Sequence, residues 1–222
     1  MKPLVRPLNR AAMRSTGTVA IALAAALGAL VTSSAPAMAA TGKARVTYKV
    51  KVSSSGTSGT GSGRLSLTTR APATVAPGGA FTITVTDSPL TVPGSVDGVS
   101  VTDVKGLSLA IRVPAHSRYV SCALRHGSGL GSGKLSCSQR RGVVTFLVPG
   151  PIQGGTKATL PVMILKLKAG GSGIIRSRMA GTSYRNPGLK AIADLSALGI
   201  PFSVNVAGYP HPSPALTRTR IR

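Results

Sequence analysis

The stretch RVTYKVKV, residues 45–52, sets Val46, Tyr48, Val50 and Val52 on one side of an extended chain and Arg45, Thr47, Lys49 and Lys51 on the other. A period of two marks a strand with one face buried and the other in water. The alternation returns in FTITVT, with Phe81, Ile83 and Val85 among threonines, and in LSLAIRV, with Leu107, Leu109, Ile111 and Val113. Leu65–Thr69, Arg118–Leu124, Val143–Val148, Ala158–Lys168, Ile174–Met179 and Phe202–Val206 are further strand candidates. APGG at 76–79, VPG at 92–94, VPGPIQGG at 148–155 and AGGSG at 169–173 punctuate them as turns. Val, Thr, Ser and Gly dominate and aromatics make up only 3% of the chain, a balance that favours strands over helices. The pattern predicts an all-β, antiparallel sandwich of about 8–10 strands. One helix is expected in LKAIADLSAL, where Leu189, Ile192, Leu195 and Leu198 recur every third residue.

The first 39 of the 222 residues follow the plan of a secretory signal peptide. Lys2, Arg6, Arg10 and Arg14 precede the apolar run TVAIALAAALGALV at 18–31, and TSSAPAMAA follows with small residues at Ala37 and Ala39. That run is too short to span a bilayer, and no transmembrane segment is expected after it. The chain therefore reads as a signal peptide over 1–39, a single sandwich domain over 40–210 and a basic, flexible tail over 211–222. The 183 residues after Ala39 suffice to bury roughly 70% of the unfolded surface around one core. An extracellular or envelope-associated protein is implied.

Export decides how Cys122 and Cys137, the two cysteines of the chain, are read. In an oxidising compartment they form a disulfide, and closing a 15-residue separation contributes roughly 3 kcal/mol in the chain-entropy account. The rival is a metal site using His116 and His126 with the two thiolates, but CxxC spacing is missing and the histidines lie ten residues apart. The intervening glycines do not cradle phosphate. Gly133 and Lys134 are followed by Leu135 where a Walker loop needs Ser or Thr, and Ser132 and Lys134 stand where a dinucleotide fingerprint needs glycine. The elbow GxSxG misses by one residue around Ser128 and Ser132. No nucleotide, cofactor or metal is expected.

Charge is the strongest functional signal. Residues 40–222 carry 23 Lys and Arg against Asp87, Asp97, Asp103 and Asp194, with no glutamate, a net charge of +19. Such a field attracts anionic polymers and lipid surfaces in a salt-dependent way. Arg45, Lys49 and Lys51, Lys166 and Lys168, and Arg176 and Arg178 alternate with apolar or hydroxyl residues, so they stripe outward faces as a candidate basic binding surface. The alternative is that they only solvate the sheets and guard their edges. Nucleic acid is the weaker partner, because export removes it and seven aromatics provide few stacking platforms.

No catalytic residues are assigned. The aspartates sit mostly in turn-like contexts such as TDSP and VDG, a paired-carboxylate glycosidase lacks its glutamates, and the histidines belong to no nucleophile motif. His211 lies between prolines in YPHPSP, in an extended segment.

APATVAPGGAFTITVTDSPLTVPGS, LSLAIRVPAHSRYVSCALRHGSGLGSG, GVVTFLVPGPIQGGTKATLPVMILKLKAGGSG, AGTSYRNPGL and FSVNVAGYPHPSPALTRTRI together resemble a family of small secreted actinobacterial proteins. The resemblance covers most of the chain after the signal segment and implies an immunoglobulin-like β-sandwich at the cell envelope. Members tend to carry cysteines in the first strand and before the C-terminal Tyr-Pro, where TYKVKV and VAGYP have none. Some members are labelled dehydratases, which makes a hydro-lyase or hydrolase the second function class. A structural or adhesive module held by protein partners is the third. The residues themselves point to a non-catalytic protein that associates with anionic wall polymers or lipid through its basic surface.

Overall fold

The computed structural model describes residues 39–222, so the expected signal peptide, Ala39 excepted, lies outside them. In chain order the strands are β1 (Ala39–Ser53), β2 (Ser58–Pro72), β3 (Thr74–Val75), β4 (Ala80–Asp87), β5 (Leu90–Thr91), β6 (Ser95–Val96), β7 (Val99–Arg112), β8 (Ser117–Arg125) and β9 (Ser136–Arg140). There follow β10 (Val143–Val148), β11 (Ile152–Gln153), β12 (Lys157–Ala158), β13 (Val162–Ala169), β14 (Ile174–Met179), β15 (Leu189–Ala197), β16 (Ile200–Pro210) and β17 (Thr217–Ile221). The fold is the antiparallel sandwich the alternation predicts. It has 17 strand segments where 8–10 are expected; twelve are longer strands and five are two-residue segments, of which β3, β6 and β11 join longer strands while β5 and β12 pair with each other.

One ladder runs β9-β10-β7-β15-β16-β1-β2-β4-β13-β8 and folds back on itself, so that its two halves share a core. The hairpin of β1 and β2 makes the corner. Near its tip, Tyr48–Ser53 pair with β16, whereas at its base Leu67–Arg70 pair with β4. A pair of 15-residue strands can serve both halves in this way because strand twist turns one end relative to the other. Inward residues of β1, β4, β7, β10 and β13, among them Val46, Ile83, Ile111, Val144 and Leu165, are fully buried. Each such side chain contributes about 1.5–3 kcal/mol by leaving water.

Strands β8 and β9 end the path, each paired on one side only. Cys122 on β8 and Cys137 on β9 form the expected disulfide, with Cα atoms 6.1 Å apart, and so join the two ends of the ladder.

Two expectations are corrected. Leu189–Ala197 is β15, not a helix, with β7 on one edge and β16 on the other. Leu189, Ala191, Ala193, Leu195 and Ala197 form an alternating set opposite Gly208, Val206, Val204, Phe202 and Ile200. Two waiting strand edges override a three-residue spacing that also fits a helix. Leu198 and Gly199, with φ of 48° and 80°, then close a tight two-residue loop into β16. The second correction concerns the basic tail, whose residues Thr217–Ile221 are β17, antiparallel to β14 and parallel to β3. Leu216, Thr219 and Ile221 are buried there. Thr69 donates to the Leu216 carbonyl at 2.8 Å and Thr219 to that of Pro72 at 2.7 Å, which ties the segment down.

Candidate functional site

The outward face of β1, β2, β4, β13 and β8 follows from register. Thr41 lies opposite Arg70, Arg70 opposite Thr84, Thr84 opposite Ile164 and Ile164 opposite Ala123. The next row carries Thr82, Lys166 and Ser121, and the row beyond it Ala80, Lys168 and Arg118. On the hairpin, Lys43 lies opposite Thr68, Arg45 opposite Ser66, Thr47 opposite Arg64, Lys49 opposite Ser62 and Lys51 opposite Thr60. With Arg125 opposite Val162, the face gathers ten cations: Lys43, Arg45, Lys49, Lys51, Arg64, Arg70, Arg118, Arg125, Lys166 and Lys168. All are exposed except Lys51, which is half-buried. Between them stand hydroxyl groups. The one carboxyl group on these five strands, Asp87, points inward and is buried.

A groove of about 530 Å³ runs across this face, lined by Lys43, Arg45, Ser66, Thr68 and Ser88. It exists because β2 meets β4 only over Leu67–Arg70 and parts from it beyond Leu67. Two cations beside three hydroxyl groups suit a phosphate, sulfate or carboxylate oxygen.

Five of the sequence-selected residues, Arg45, Lys49, Lys51, Lys166 and Lys168, thus share one face. Arg176 and Arg178 do not join them. They project from β14, where Arg176 stands directly opposite Arg218 of β17 and Arg178 directly opposite Arg112 of β7. Arg220 is opposite Ile174 in the same ladder. Arg178 donates to the Ser213 carbonyl, and among the described residues no carboxylate forms an ion pair with the group. Lys43, Arg64, Arg70, Arg118 and Arg125 were not singled out by sequence, although Arg64, Ser66, Thr68 and Arg70 share the parity opposite Leu65 and Leu67.

Three of the four aspartates are buried or paired. Among the described residues the ion pairs are those of Lys105, to Asp194 at 2.5 Å and Asp103 at 3.5 Å. Those two aspartates face each other in the ladder of β7 and β15, so Lys105 neutralises a like-charge pair. Its hydrogen bond to Asp194 holds that carboxyl below its ordinary range. Asp87, on the inner side of the wide sheet, is pushed up by burial from 3.8 to about 6, opposed by a hydrogen bond from the Ser88 backbone. Burial, and then the Asp87 charge, raise Tyr48 as well. Among the described residues neither Tyr48 Oη nor Asp87 Oδ2 has a hydrogen-bond partner.

The candidates for other chemistry are dispersed. His116 and His126 flank β8, nine residues long, which separates them by about 30 Å at the strand rise. His116 packs its ring against Gly173. The thiolates of the rival metal set are consumed in the disulfide, and no group of three His, Cys, Asp or Glu side chains is placed to hold a metal among the described residues.

No protein family matches this chain, and no curated protein does. Among solved structures it is similar to the crystal structure of a "Putative membrane anchored protein" from Corynebacterium diphtheriae, with a TM-score of 0.54 and 13% identity. The match covers 82% of this chain and 38% of that one. At that identity the similarity is one of fold.

Proposed function

We propose that this chain is an exported, non-catalytic envelope protein that associates with anionic polymers through the outward face of β1, β2, β4, β13 and β8. One observation carries the reading: ten cations converge on that face with no acidic side chain among them. A sheet needs polar outer residues to stay soluble, but it does not need them all of one sign. The charge-segregated arrangement lowers the potential energy of a polyanion along the whole face, and release of its counterions drives binding. The N-terminal charge and apolar pattern supports export. The fold neighbour from Corynebacterium, an actinobacterium named as membrane anchored, is in keeping with an envelope setting.

The test is co-sedimentation of residues 40–222 with purified cell envelope over a salt series, with an uncharged polysaccharide as control. Bound fraction should fall linearly on logarithmic axes as salt rises. Lys166→Glu with Lys168→Glu should weaken binding at every salt and flatten that slope by about 2, one per lost contact. Salt-independent binding, or none at low salt, would overturn the proposal.

A further inference from the structure

Of the four tyrosines, Tyr48 is buried and Tyr119 donates to Cys122 Sγ at 3.3 Å. The other two meet at the surface, where no core explains them. Tyr184 and Tyr209 pack edge to face with ring centres 5.1 Å apart and planes at 75°. His211 continues the row, 6.3 Å from Tyr209 at 70°. Two half-exposed rings and one exposed ring are thereby held together in a protein that places few aromatics anywhere.

The scaffold beneath them is tied on every side. Tyr184 sits in a loop closed by hydrogen bonds from Thr182 N to the Asn186 carbonyl at 3.0 Å and from Asn186 N to the Ser183 carbonyl at 3.1 Å. Asn186 Nδ2 adds a bond to Thr182 Oγ1 at 3.2 Å. The loop's ends, Gly181 and Gly188, approach so closely that a Cβ on Gly188 would stand 1.7 Å from the Ala180 carbonyl oxygen. His211 is fixed by its amide, which donates to the Thr47 carbonyl at 2.8 Å. A rigid presentation of adaptable polar and apolar surface reduces the ordering cost of binding.

Cations border the row. Lys49 lies directly opposite Tyr209 in the ladder of β1 and β16 and belongs to the wide basic face. Arg185 is exposed beside Tyr184 in the chain. The platform is therefore continuous with the cationic face.

Perpendicular rings form a corner rather than a parallel slot. A nucleobase stacks best on an open face or between parallel faces. A saturated sugar ring is different, with C–H groups on its faces that pack on an aromatic ring and hydroxyl groups on its rim that reach the tyrosine oxygens. We infer that Tyr184, Tyr209 and His211 form a sugar-ring subsite whose charged substituents are met by Lys49 and Arg185, so that the anionic polymer is an acidic glycan. This rests on the polyanion reading above and names the class of polymer.

Two probes separate the two claims: a uronic-acid oligosaccharide, which has rings and carboxylates, and inorganic polyphosphate, which has charge without rings. Titration is followed by tyrosine fluorescence, which no tryptophan obscures, and by calorimetry. Tyr184→Ala with Tyr209→Ala should weaken uronate binding by about tenfold and leave polyphosphate binding unchanged. Tyr184→Phe with Tyr209→Phe keeps the rings and should retain most of the affinity; it also serves as the variant whose folding is least disturbed. Equal uronate affinity in the wild type and the alanine pair overturns the subsite while the basic face stands. Loss of both probes in the alanine pair, with unfolding unchanged, also overturns it. Failure of the wild type to bind either probe at low salt overturns both readings.

Discussion

The wide face and the arginine ladder of β14 carry positive charge in opposite ways. Across the wide face a cation has a hydroxyl or apolar neighbour on the next strand: Arg70 between Thr41 and Thr84, Lys166 between Thr82 and Ser121. Lys168 opposite Arg118, at the β8 margin, is the exception. On β14 both arginines directly oppose arginines, Arg176 with Arg218 and Arg178 with Arg112. Like charges directly opposite destabilise a sheet, so this second arrangement is carried at a cost to stability. What tolerates it lies underneath, where Ile175 and Ser177 are fully buried and Ser177 Oγ meets Thr217 Oγ1 at 2.6 Å. A dispersed face can meet any long polyanion, whereas a crowded ladder gains most from a single anion placed between its guanidinium groups.

The comparison can be broken hardest at the seam beside the wide face. Cys122→Ala with Cys137→Ala should lower stability by about 3 kcal/mol, or roughly 6–12 °C in midpoint. Below the lowered midpoint, polyphosphate affinity should persist, since the cations remain; calorimetric unfolding and titration measure the two separately. Loss of affinity in the folded variant would mean that the β8 margin, with Arg118 and Arg125, dominates the face.

A smaller effect tests the inner side of the same sheet. Asp87 titrates near 6 when folded and near its ordinary 3.8 when unfolded. A raised folded value means that its contribution is full below 3.8 and is lost as pH rises through 6, when a charge must be held in the core. Asp87→Asn should therefore be more stable than the wild type by about 1–2 kcal/mol at pH 8, a value discounted for partial solvent access, with the gap closing towards pH 4. Urea unfolding across that range checks it, and a gap that widens in acid would contradict the assignment.

The smallest effect sharpens the contrast directly. Arg176→Thr should stabilise the protein by roughly 0.2–1 kcal/mol at low salt, and the gain should vanish as salt screens the ladder. Lys166→Thr, flanked by hydroxyl groups, should give no such gain. Equal responses would mean that register does not distinguish the two surfaces.

Local alternation made the strands around Val46, Phe81, Leu107, Val143 and Ile174 legible, because each has one apolar and one polar face. The disulfide was legible from compartment and spacing. What local pattern could not supply was pairing. Leu189–Ala197 fits a helix until β7 and β16 are known to flank it. TRTRIR alternates Arg218 and Arg220 with Thr219 and Ile221, yet a terminal position and high charge conceal a strand that only β14 and β3 make stable. The stripes were likewise found as stripes, but register alone assigns Lys166 to the wide face and Arg176 to a facing arginine. The row of Tyr184, Tyr209 and His211 spans a loop and a strand end and leaves no periodic trace.

The bond between Cys122 and Cys137 also bears on how many molecules make up the particle. It holds together β8 and β9, two longer strands that are each paired on one edge only. Unmasked strand edges are templates for a second chain, and two of them on one molecule propagate in both directions. The disulfide therefore keeps these two edges turned toward each other within one chain, where each is screened by its own molecule.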